Sequence, residues 1–97
     1  MEFAFTGDIW YWRGPAPFYF ITVPDEICEI IKVNSGFLTY GWGMIPVRAR
    51  IGRTDWKTSM WPKDGGYILP VKVAVRRAEE LDEGADAKVQ LWVGHGA

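Results

Sequence analysis

The sequence predicts a mainly β protein: a small closed or nearly closed antiparallel β-barrel carrying two short helices. Three observations point there. Alternation of apolar and polar residues recurs in several short stretches, the period of a strand with one buried face. Two other stretches switch to helical spacing behind Pro24 and Pro70. The chain has only 97 residues, enough for one domain, and closing its sheet would leave no bare edge to pair with other chains.

The elements follow in order. "MEFAFTGDIWYW" reads as one or two strands around Gly7-Asp8, with Phe3 and Phe5, then Trp10 and Trp12, in alternation. "RGPAP" is a turn, because two prolines and a glycine cannot continue a ladder. "FYFITV" is aromatic and β-branched, hence strand. In "PDEICEIIK" Pro24 suits a first turn and Asp25 and Glu26 favour the positive end of a helix. Ile27, Ile30 and Ile31 form its expected buried stripe, with Cys28 beside it as a small apolar filler.

The stretch from Met44 to Trp61 is the most informative. A two-residue turn at Gly52-Arg53 places Val47, Ala49, Ile51, Thr54, Trp56, Thr58 and Met60 on one face. Arg48, Arg50, Asp55, Lys57, Ser59 and Trp61 then share the other. Both strands bury their apolar residues at once, which supports the register. Arg50 falls opposite Asp55, a favourable pair, and Arg48 opposite Lys57, unfavourable without a nearby anion or carboxylate.

"PKDGGY" turns the chain and "YIL" is a short strand. In "PVKVAVRRAEELDEG" Val71, Ala74, Val75, Ala78 and Leu81 fit one helical face, with Pro70 in the first turn and Gly84 as the stop. "AKVQLWV" closes the fold, with Ala87, Val89, Leu91 and Val93 inward and Lys88, Gln90 and Trp92 outward. One domain over residues 1–97 is expected, with 93–97 a flexible tail.

At this point the residues resemble a family. "GPAPFYFITVPDEI", "GWGMIPVRARIGRTDWKTSMWP" and "GGYILPVKVAVRRAEEL" are similar to the signature stretches of the bacterial domain of unknown function 1905, in order and with similar spacing. The resemblance implies a small closed β-barrel with two helices, and it supplies no catalytic residue. The chain departs from that pattern before its last strand, where Gly84 is followed by Ala85 and Asp86 comes one place later.

Composition narrows the chemistry. Eleven basic and twelve acidic residues leave a net charge of −1, which argues against a general phosphate-binding surface. The lone Cys28 excludes an intrachain disulfide and a thiolate metal cluster. The start has no basic region and no long apolar run, so a cytoplasmic protein outside the membrane is expected. The single histidine, His95, sits between glycines near the end and has no orienting partner in sequence. No metal site, cofactor or catalytic residue is therefore expected, and a carboxylate-based enzyme is the weakest alternative. Gly41-Trp42-Gly43 lacks the third glycine and the helix of a dinucleotide fingerprint.

Binding is the favoured function. Arg48, Arg50, Lys57 and Ser59 share the outward face, while Lys72 and Arg76 begin a second basic group on the following helix. These residues are the candidates for holding a small, possibly anionic ligand; a cavity lined by Trp56, or a protein partner, is the other form of the same reading. Single-stranded nucleic acid is the alternative ligand, disfavoured by net charge and by the lack of a row of aromatics along any one strand.

Overall fold

The computed structural model describes residues 1–14, 18–34 and 43–94. The described residues form six strands and two helices. They are β1 (Glu2–Trp12), β2 (Phe18–Thr22), α1 (Asp25–Val33), β3 (Ile45–Ile51), β4 (Thr54–Lys63), β5 (Gly66–Pro70), α2 (Val73–Ala78) and β6 (Asp86–Val93). The strands close into a barrel in the order β1-β2-β5-β4-β3-β6, every neighbour antiparallel. Closure gives every strand two partners and leaves no free edge among them.

Alternation explains the wall. Ile9, Ile21, Ile45, Met60, Leu69, Val89 and Leu91 point inward and are essentially inaccessible to water. The β3–β4 hairpin has the register expected from its sequence, Ile51 opposite Thr54 through to Arg48 opposite Lys57. Trp56 lies in the core, and its indole Nε1 donates to Pro70 O at 3.0 Å, so the polar tip of the ring is satisfied.

The helices pack against the strands, α1 on β5 and α2 on β4. Helix α1 follows β2, packs on β5 and buries Cys28 and Ile31. Here the expected stripe shifts by a fraction of a turn: Ile30 is exposed, and Cys28 takes its place inside. Pro24 occupies the cap position, and Lys32 Nζ donates to Gly65 O, tying the helix to the β4–β5 turn.

Helix α2 is shorter than the periodicity suggests. Pro70 ends β5 opposite Phe20, and Val71 N–H still donates to Tyr19 O at 2.9 Å, so the extended ladder runs past the proline. Lys72 is the cap residue, with φ −65° and ψ 150°, not a first-turn residue. The helix also stops before Gly84. Glu80 takes φ +54°, while Leu81 N–H donates to Arg76 O and Glu80 N–H to Arg77 O. That is a Schellman-type ending, drawn tight by burial of Leu81. Ala74 and Ala78 are consequently exposed, and Val71, Val75 and Leu81 make the buried contacts.

Of the one or two strands expected around Gly7-Asp8 the structure has one, and the boundary of the tail differs. β1 is one uninterrupted strand through Gly7-Asp8, because β6 pairs with it from Glu2 to Asp8 and β2 from Ile9 to Trp12. Val93 is not tail: it is buried, its N–H donates to Met1 O, and its carbonyl accepts from the amino terminus. His95 and the Gly41-Trp42 pair lie outside the described residues.

Candidate functional site

Three surface features carry chemistry, each set by which strands the closure makes neighbours. The first is the ionic strip on β3, β4 and β6. Arg50 Nε lies 2.7 Å from Asp55 Oδ1, and Arg48 Nη1 lies 3.2 Å from Asp55 Oδ2. One carboxylate therefore bridges both guanidiniums. Arg48 also sits opposite Trp92 of β6, with its Cζ 3.8 Å from the ring centroid. The like-charge pairing of Arg48 with Lys57 persists in the register, but Arg48 is compensated by Asp55 and Trp92. Lys57 is exposed and forms no ion pair among the described residues. Ser59, two positions along β4, is half-buried.

The remaining two candidate residues do not join that strip. Lys72 is exposed at the cap of α2, a helix of six residues. Arg76 packs on Tyr19, with Cζ 3.5 Å from the ring centroid, and Nη1 donates to Leu81 O at 3.3 Å. Its Nε is buried without an acceptor. This guanidinium ties α2 to Tyr19 of β2, so its planar face is spent on packing.

The second feature is an aromatic wall that no single strand reveals. Trp10 and Trp12 project outward from β1, directly opposite Phe20 and Phe18 of β2. Phe20 is opposite Pro70 of β5, and Ile68 of β5 is opposite Trp61 of β4. The rings touch in a chain: Trp10–Phe20 centroids are 5.2 Å apart, Phe18–Phe20 5.7 Å and Phe20–Trp61 5.0 Å. Phe20 is only 1% exposed although it lies outside the barrel, because its aromatic neighbours pack over it. Trp12 and Trp61 flank it at 41% and 40% exposure. Trp10 is fixed by donation from Nε1 to Thr22 Oγ1 at 3.0 Å, and Lys63 Nζ stands 5.5 Å from the Trp12 ring centroid.

Sequence reasoning missed this wall because it looked along strands. The available signal was equal parity: Trp10 and Trp12 share a face, Phe18 and Phe20 share a face, and only the short "RGPAP" turn separates the pairs.

The third feature is a groove of about 470 Å³ over β1, β6 and β3, lined among others by Ala4, Thr6, Arg50, Gly52, Lys88 and Gln90. A smaller notch of about 150 Å³ beside Trp10 is lined by Thr22, Asp25, Lys63 and Asp64 among others.

Cys28 is poorly placed to act as a nucleophile. Burial pushes the Cys28 thiol above its ordinary pKa, with Asp25 and Glu29 adding to the effect, so the reactive thiolate is disfavoured. Trp56, expected to line a cavity, is occupied by core packing and its bond to Pro70. Among the described residues no three His, Cys, Asp or Glu side chains group as metal ligands, and no helix is long and apolar enough to cross a membrane.

The family described as a domain of unknown function, DUF1905, matches residues 5–91. No curated protein matches the chain.

Proposed function

The chain belongs to the DUF1905 family, and we propose that it is a non-catalytic binding module that engages a protein partner through the aromatic wall. The observation supporting this reading is the packed ring chain from Trp10 to Trp61 with Trp12 and Trp61 left partly open. Tryptophan is enriched among residues that dominate binding energy, since one ring buries a large area at small entropic cost. A connected apolar patch that neighbouring rings hold rigid needs little reorganisation on binding. A bacterial cytoplasmic setting suits a lone buried cysteine.

The test replaces Trp12 and Trp61 together by Ser and compares the proteins retained by wild type and variant. Partners lost with the tryptophans and kept by a Lys88→Ala control support the wall. Identical retention by both proteins would discard it.

Single-stranded nucleic acid is the second reading, favoured by one observation: the rings run across strands, the direction in which bases stack on a sheet. Binding of a labelled oligothymidine that weakens with salt and with Trp61→Ser would favour it over a protein partner.

A further inference from the structure

The groove over β1, β6 and β3 lies on a different part of the wall and has its own chemistry. Strand register creates it. Ala4, Gln90 and Arg50 form one row across the three strands, and Thr6 and Lys88 are opposite each other in the next. Small side chains at Ala4 and Thr6 leave a depression beside the longer Arg50, Lys88 and Gln90. Its volume of about 470 Å³ falls within the range of sites for small organic molecules.

The lining is rich in donors and holds no carboxylate. Arg50 spends Nε on Asp55, while its two terminal amino groups make no hydrogen bond or ion pair among the described residues. Lys88, Gln90 and Thr6 likewise have no side-chain partner among them. The nearest acids are partly engaged: Asp55 is on the Arg48–Arg50 pair, and Glu79, whose Oε1 lies against Gly52 at the groove's edge, accepts from Thr54 through Oε2 at 2.5 Å. Four donor-bearing side chains thus line one depression, and of these only Arg50 has an ion-pair partner among the described residues, Asp55 at its Nε.

We infer that this groove binds a small organic oxyanion, a carboxylate or phosphate, between Lys88 and the open edge of Arg50, with Gln90 and Thr6 bonding its remaining oxygens. A cation finds no carboxylate in the lining. A neutral ligand leaves the Lys88 charge uncompensated, whereas Arg50 already has Asp55. A polyanion is disfavoured by the flanks: Asp8 and Asp86 face each other one row beyond Thr6 and Lys88, and Glu2 is exposed one row beyond Ala4. Arg50 offers a planar pair of donors suited to a carboxylate or phosphate edge, and Lys88 a point charge.

The test is a ¹H–¹⁵N correlation titration of the intact chain with citrate, inorganic phosphate and glucose 6-phosphate, and with glucose and oligothymidine as controls. The expected result is saturating shifts at Thr6, Gly52, Lys88 and Gln90 with at least one small oxyanion, citrate against the two phosphates separating carboxylate from phosphate recognition. Lys88→Ala should weaken binding roughly tenfold, and Ala4→Leu, which fills the depression, should abolish it. Both positions are exposed on the outer wall, so the spectrum itself verifies the fold. No saturation with any of the three up to about 10 mM, shifts centred elsewhere, or affinity unchanged in both variants overturns the inference. Equal binding of glucose or tighter binding of oligothymidine in the groove overturns it too. None of these failures touches the aromatic wall, whose residues are read separately in the same spectra.

Discussion

Arg48 and Lys57 stand directly opposite each other on β3 and β4, and the repulsion is answered from the side: Arg48 lies 3.2 Å from Asp55 and stacks on Trp92. A single carboxylate therefore decides whether this face acts as a basic patch.

Asp55→Ala should uncover Arg48 and Arg50 together beside Lys57. The expected stability loss is small, about 0.5–1 kcal/mol, since the groups are partly exposed and screened by water. The larger effect is electrostatic: the variant should elute later from a heparin column at low salt, with the difference fading as salt rises. Unchanged elution would mean that Asp55 does not neutralise the strip.

Trp56 and Trp61 provide an internal comparison on one strand. Trp56→Ala removes a buried ring and a satisfied indole bond, and should cost about 3–5 kcal/mol in chemical denaturation. Trp61→Ala opens the outer wall, where the ring is already 40% exposed, and should cost about 1–2 kcal/mol. A reversed order would refute the assignment of inner and outer faces.

Gly52 is held by geometry on two counts. Its φ is +59°, in the left-handed region, and a methyl group there would overlap Glu79 Oε1. Gly52→Ala should destabilise by about 1–3 kcal/mol, and the Glu79→Ala background should relieve the overlap while leaving the strain of the turn. Equal losses in both backgrounds would show that Glu79 does not press on the turn.

Alkaline pH should weaken the fold through Cys28 and Tyr67. Burial raises both above their ordinary values of 9.0 and 10.0, so the folded state holds these protons more tightly than the unfolded chain. The resulting stability is complete below the unfolded values and is lost as pH rises through the raised ones. Denaturation midpoints should stay level toward pH 8 and fall above about pH 9, less steeply in Cys28→Ala. The same slope in wild type and variant would remove Cys28 as a cause.

Much of the fold was legible because strand alternation is a local code. The β3–β4 register followed from one turn, Gly52-Arg53, and from requiring both strands to bury apolar residues together. The helix ends were less legible because they answer to tertiary contacts. Leu81 is buried in the core cluster and terminates α2 early, and the bond from Val71 to Tyr19 keeps the chain extended past Pro70. Likewise the choice of Cys28 over Ile30 for the inner face depends on how α1 is rotated against β5, which spacing alone leaves open by a fraction of a turn.

The candidate sites divide along the same line. Sequence by itself determined which residues of each strand face outward: Arg48, Arg50, Lys57 and Ser59 on the central hairpin, Lys88, Gln90 and Trp92 on the last strand. Only the tertiary structure decided which outward residues meet. Side-chain period is written every second residue along one strand, but strand order is fixed by closing the barrel, through pairings as distant as Ala4 with Gln90. That closure set Trp10 beside Phe20 and Trp61, gave Arg48 its Trp92, and left Lys88 and Arg50 on either side of an open groove.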